Sequence, residues 1–136
     1  MEEGIFFPDD SVILLSGNPR DGYVASARGG IGPLLRGEPE GWAGIDENPA
    51  CRVEAGGVVV TAGATSWEGE GFVAAWHAPD GTLLWVLHLK ESEAFSALRH
   101  DGEIIEATSG GYPDRYRWRI PVSRPELLSV IASRAT

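Results

Sequence analysis

Residues 72–89 read FVAAWHAPDGTLLWVLHL, two apolar runs divided by Ala78-Pro79-Asp80-Gly81. Pro79 presets the first central residue of a tight turn, and Gly81 supplies the left-handed residue of a type I turn with a G1 bulge. The stretch therefore reads as a β-hairpin. In its second arm, 82–89, Leu83, Trp85, Leu87 and Leu89 fall on one face and Leu84 and Val86 on the other. A strand apolar on both sides is central and covered on both sides. One sheet with a single core face does not satisfy it, so a second sheet, a barrel closure or a helix must cover the other face.

Downstream, Phe95 to Arg99 and Glu103 to Thr108 flank His100-Asp101-Gly102 as a second hairpin. Two registers compete. A two-residue Asp101-Gly102 loop sets Arg99 opposite Ile104 and sends Phe95 away from Ile105. A three-residue loop pairs Arg99 with Glu103 and Ala97 with Ile105, so that Phe95, Ala97, Ile105 and Ala107 share a face. The second is favoured. Tyr116-Arg-Trp-Arg-Ile120 then alternates polar and apolar, the pattern of a half-buried strand. Tyr116 and Trp118 join the apolar face, and Glu106 falls near Arg117 on the other.

Upstream, Cys51 to Glu54 and Val58 to Thr61 form a hairpin across Ala55-Gly56-Gly57, and Ile5 to Phe7 with Ser11 to Leu15 bracket Pro8-Asp9-Asp10. Residues 16–50 are rich in Gly, Pro and charge, with short helical turns expected at Val24 to Arg28 and at Leu34-Leu35. At the C-terminus, Ser123-Arg124-Pro125-Glu126 matches a capping box. Leu127, Leu128, Ile131 and Ala135 follow at helical spacing, so a docked helix is expected there. The fold class expected is mainly β, bordering on α+β. It is an antiparallel meander, partial barrel or curled sheet with a short C-terminal helix packed on it, spanning 1–136 as one globular domain.

A chain of 136 residues with 43% hydrophobic and 23% charged residues can bury a core without a disulfide or a metal. Its net charge is −9, unevenly distributed: residues 1–110 carry −12 and residues 111–136 carry +3. Such a charge repels nucleic acid and anionic membrane and favours a basic partner. Ten of the eleven bases are Arg, which suits bidentate recognition or simply reflects a GC-rich, bacterial-like composition. Cys51 is the single cysteine, and the Met1-Glu2-Glu3-Gly4 start lacks a basic signal region. A soluble, cytoplasmic protein is expected, with no cofactor.

Motifs for chemistry are sparse. His77 with Asp80 and His88 with Glu91 could be ligand pairs, but no companion spacing supports a metal site, and none is expected. Cys51 reads as a small buried residue rather than a nucleophile. Arg28-Gly29-Gly30-Ile31-Gly32-Pro33 has no Lys-Ser/Thr ending and reads as a turn rather than a phosphate loop. No catalytic residues are assigned, and the balance leans against an enzyme.

Two surface features remain. Trp42, Asp46, Glu47, Trp67, Glu68 and Glu70 lie in Gly-rich segments suited to recognising a cationic surface. Arg115, Arg117 and Arg119 project from one face of a strand, as an anion site or as cross-strand partners of Glu106. With Tyr116 and Trp118 turned inward, that face lacks the exposed aromatics of an RNA platform. The function expected is an acidic protein-binding module, for instance an inhibitor or toxin-immunity protein masking a basic partner. A small-ligand-binding β-barrel is the alternative, motivated by five Trp and the doubly apolar strand. A hydrolase using Glu68 and Glu70 ranks last.

Overall fold

A computed structural model describes residues 3–9, 11–30, 46–64, 70–89, 92–111 and 114–134. The strands are β1 (Gly4–Phe6), β2 (Ser11–Asn18), β3 (Gly22–Ala25), β4 (Gly29–Gly30), β5 (Asp46–Ala55), β6 (Val58–Ala64), β7 (Gly71–His77), β8 (Leu83–Leu89), β9 (Phe95–Asp101), β10 (Ile104–Gly110), β11 (Asp114–Pro121) and β12 (Ser129–Arg134). They form two antiparallel sheets. The larger runs β3-β2-β1-β8-β7-β6-β5, with β4 also on β2, and the smaller runs β12-β11-β10-β9. The sheets do not close into a barrel.

The turns follow their residues. Gly81 has the left-handed φ of +70 that the Pro79-Asp80-Gly81 reading requires, but its N–H donates to the His77 carbonyl at 2.8 Å, so the turn closes one residue wider than the type I turn expected there. The Asp80 carboxylate accepts from the Thr82 N–H and bonds His77 Nδ1 at 2.9 Å, which holds its pKa at about 2. Gly56 and Gly57 have φ +57 and +80, the double left-handed conformation that a two-residue hairpin demands, and Ala55 pairs with Val58.

β8 lies between β1 and β7 and is buried on both faces, as its apolar pattern requires. One detail differs. Trp85 pairs with Ala75 but Leu83 pairs with Trp76, so Leu84 is an extra residue in the ladder. This bulge exchanges the sides of Leu83 and Leu84. Leu83 joins Phe6, Val12, Phe72, Ala74 and Val86 on the outer face of the large sheet, while Leu84 packs toward the core between the sheets. That core holds Ile5, Cys51, Val60, Trp85, Leu87, Phe95, Ile105, Trp118 and Ile120, so the small sheet covers the inner face of the large one. Cys51 is buried there, as expected, and burial pushes its thiol pKa up.

The second hairpin has a register that neither expectation gave. Asp101 pairs with Ile104 and Arg99 with Glu106, leaving Gly102-Glu103 as a two-residue loop. Gly102 takes φ +62 at the first central position, the requirement of a type II′ turn. Ala97 faces Thr108 while Phe95 faces Ser109, so Ser96 is bulged. The bulge returns Phe95 to the core side with Ile105 and Ala107, but leaves Ala97 on the solvent side.

The expected C-terminal helix is absent. Only Pro125–Leu127 makes a 3-10 turn, without a side-chain cap, and Leu128 leaves it at φ −57, ψ 151. Residues 129–134 instead form β12, paired along β11 from Arg119↔Ser129 to Asp114↔Arg134. A short helix is marginal alone, and the open edge of β11 offers backbone partners to a segment bearing β-branched Val130 and Ile131. The helical turn expected at Val24 to Arg28 is also overturned: β3 runs through Val24, and Arg28 stacks on Phe7 with its guanidinium 3.6 Å from the ring centroid. Leu34-Leu35 lies outside the described residues.

Trp118 anchors the small sheet to the core. It is buried, meets Phe95 edge-on at 6.0 Å and Tyr23 at 5.9 Å, and its Nε1–H donates to Ser109 Oγ at 2.9 Å. Trp118→Ala is expected to lower stability by about 3–5 kcal/mol. Trp118→Phe keeps the ring but orphans the buried Ser109 hydroxyl and should cost about 1–3 kcal/mol. Urea unfolding of the two variants, compared with the parent chain, checks both values and their order.

Candidate functional site

β11 sends Tyr116, Trp118 and Ile120 toward the core, and a period of two then sends Arg115, Arg117 and Arg119 to solvent. The flanking strands complete the outer face in register. One row runs Arg99, Glu106, Arg119, Ser129, and the next runs Ala97, Thr108, Arg117, Ile131. Arg115 lies between Gly110 and Ser133. Four of the chain's eleven bases therefore share one face of one sheet, and Glu106 is the single carboxylate in those three rows.

Glu106 clamps two of the four. Its Oε2 accepts from Arg99 Nε at 2.6 Å and its Oε1 from Arg119 Nη1 at 2.9 Å, which ties β9, β10 and β11 together through side chains. Arg99 and Arg119 nonetheless remain 72% and 52% exposed. Arg117 sits diagonal to Glu106, opposite neutral Thr108 and Ile131, and makes no hydrogen bond or ion pair among the described residues. Cross-strand pairing thus accounts for Arg99 and Arg119 but not for Arg117 or Arg115. The face encloses an open groove of about 490 Å³ lined by Arg99, Glu106, Thr108, Arg117, Arg119 and Ile131.

The other sequence-selected residues are placed differently. Trp42, Trp67 and Glu68 lie outside the described residues. Asp46 and Glu47 belong to β5 through their backbone, and their side chains are likewise not described. Glu70 is bonded to a neighbour on the large sheet. Its Oε2 lies 2.7 Å from Nε2 of His88, which is 1% exposed on the outer face of the large sheet. The β7–β8 ladder sets Phe72 opposite His88, which makes Glu70 the diagonal neighbour of that histidine. Glu91, the partner that sequence proximity offers His88, lies outside the described residues. The pairing signal was the hairpin register, not sequence proximity.

His77 bonds Asp80 within its turn, and Arg28 Nη2 bonds Asp9 Oδ2 at 3.1 Å, so both are committed to local structure. Among the described residues, no three His, Cys, Asp or Glu side chains gather as a metal-binding group. Likewise, no helix there is long and apolar enough to cross a membrane. No protein-family model, no curated protein and no solved structure matches the chain.

The bond from Arg99 does most to hold Glu106 below its ordinary carboxylate pKa of 4.5; burial opposes it, and the positive charges of Arg99, Arg119 and Arg117, each a smaller effect than burial, add to the lowering. A depressed folded-state value means that the clamp stabilises the fold above pH 4.5 and loses that contribution as pH falls through the folded-state value. NMR titration of the Glu106 carboxyl should give a midpoint below 4.5, and Arg99→Ala should move it up further than Arg119→Ala does. Equal shifts in the two variants would contradict the dominance of the Arg99 bond.

Proposed function

We propose that the chain is a protein-binding module, and that the arginine-bearing outer face of the small sheet is its recognition surface. The observation that carries this reading is Arg117, unpaired among the described residues and one row along from the clamped Arg99 and Arg119, in an open groove of a chain otherwise rich in acid. Glu106 holds two guanidiniums in place, so less side-chain freedom is lost when they meet an anionic group. Three further positive charges than negative ones in the three rows leave the face attractive to carboxylates, and a guanidinium fork matches a carboxylate in bidentate geometry. A protein partner presenting Asp and Glu fits this chemistry.

A second reading rests on a separate observation, the −12 charge of residues 1–110. It makes the chain an acidic mask for a basic partner, in the manner of an inhibitor or a toxin-immunity protein, steered by long-range attraction. The ligand-barrel alternative is disfavoured by the packing. The space between the sheets is occupied by Trp85, Phe95, Trp118 and other core side chains.

Capture of partners from the native host by the tagged chain, at about 0.05 and 0.5 M salt, separates the readings. On the arginine-face reading, a stoichiometric partner is retained at low salt, and Arg117→Glu weakens it at least about tenfold through charge reversal. A basic partner held equally by the parent chain and by Arg117→Glu would move the function to the acidic surface. No partner at either salt would overturn both.

A further inference from the structure

β12 is the outer strand of the small sheet, and its backbone pairs only with β11 among the described residues. In an antiparallel ladder, alternate residues turn their N–H and C=O groups to opposite sides, so about half of those in 129–134 face away from β11 without a backbone partner. Exposed edges of this kind are ordinarily blunted by Pro, by charge, by a bulge or by a covering element. The other edges show such devices. β5 carries Pro49 and a register shift between Glu47 and Arg52, and it lies against β9, with Asn48 Nδ2 donating to the Phe95 carbonyl at 3.3 Å. β3 is only four residues long. β12 reads SVIASR, pairs without a register shift, and leaves Ile131 67% exposed; β3 lies near it but, among the described residues, makes no backbone hydrogen bond to it.

The open edge borders the arginine face. On its outer side β12 contributes Ser129, Ile131 and Ser133, none of them charged, and Arg117 and Arg119 share the groove with Ser129 and Ile131. A strand added to β12 would lie two strand spacings from β11, roughly 10 Å. An extended arginine and an extended glutamate together span that gap over the short Ser129 and Ser133 and alongside the exposed Ile131.

Resting on the recognition surface proposed above, we infer that β12 takes an extended acidic segment of a partner protein as a fifth strand, with alternate carboxylates meeting Arg115, Arg117 and Arg119. Backbone hydrogen bonds supply the docking, and the arginine row selects the side chains. A second copy of the chain fits less well. Pairing β12 with its own copy would continue one sheet face with a second set of like charges. A nucleic acid finds its charge in the row but no stacking platform, because Tyr116 and Trp118 face inward.

The test uses the full chain and a fluorescently labelled peptide of four Glu-Val repeats, followed by anisotropy. Two modified peptides carry N-methyl groups on every Glu or on every Val. In an added strand only one parity of residues bonds to β12, so one N-methylated peptide should lose at least about tenfold in affinity and the other should bind within about twofold of the parent peptide. The Gln-Val peptide, and the Arg117→Ala chain with the Glu-Val peptide, should each bind more weakly by about threefold or more. Equal binding of both N-methylated peptides would overturn strand addition while leaving the arginine face as the recognition surface. No binding of the Glu-Val peptide, with an Arg117-dependent partner still captured from the host, would overturn the inference alone. Binding of a single-stranded oligonucleotide in place of the peptide, or a dimer of the free chain that excludes it, would also overturn it.

Discussion

A strand cannot bury Trp118 without exporting Arg117 and Arg119. That constraint, the two-residue period of β11, fixes both halves of the small sheet. Inward, Tyr116, Trp118 and Ile120 close the core against Phe95, Ile105 and the inner residues of β8. Outward, the same backbone presents guanidiniums at every second position. A slip of one residue would send the arginines into an apolar core and the indole into water, so the packing that stabilises the fold also defines the charged face. The Trp118 to Ser109 bond and the Glu106 clamp brace the ladder between β10 and β11 from its two sides.

The two sheets divide the chemistry unequally. The large sheet is apolar on its inner face, and its outer face also buries a cluster of Phe6, Val12, Phe72, Ala74, Leu83 and Val86. Even its one buried ion-pairing histidine, His88, is matched by Glu70. The outer face of the small sheet is the opposite case: polar, exposed, and richer in charge than its internal pairing uses. Within a Debye length of about 8 Å at physiological salt, Arg117 feels Glu106 and its neighbouring arginines, while acid elsewhere on the chain is largely screened. A net charge of −9 is therefore compatible with a locally basic surface.

Much of this was readable in the sequence where local chemistry decides. The turns at 78–81 and 56–57 are written in Pro, Asp and Gly, and strict alternation in 116–120 sets the direction of Arg117 and Arg119. The failures share a cause. In 95–108 the alternation was followed without a break, but the II′ turn at Gly102 shifts the pairing and the bulge at Ser96 then restores Phe95 to the core. Bulges leave little local signature, because the extra residue is chosen by the partner strand. The same holds at Leu84. The segment from Ser123 carries a helix-start pattern, yet residues 129–134 become a strand because β11 otherwise ends the sheet. Val130 and Ile131 tolerate the strand, but the edge that selects it lies on β11.

The site was legible to a similar depth. Arg117 and Arg119 were identified with Glu106 on their side of the sheet, but Arg99 was not placed with them, because the favoured register set it opposite Glu103. Correcting the register brings Arg99 onto Glu106 and changes the meaning of the row. With Arg119 as its single partner, Glu106 would cancel one charge and leave two arginines on β11. With Arg99 added, the carboxylate is shared between two guanidiniums, and the face gains a positive charge from a neighbouring strand. The fourth positive charge of the face thus turns on one hairpin residue, Gly102, and on the φ of +62 that lets the loop close in two residues.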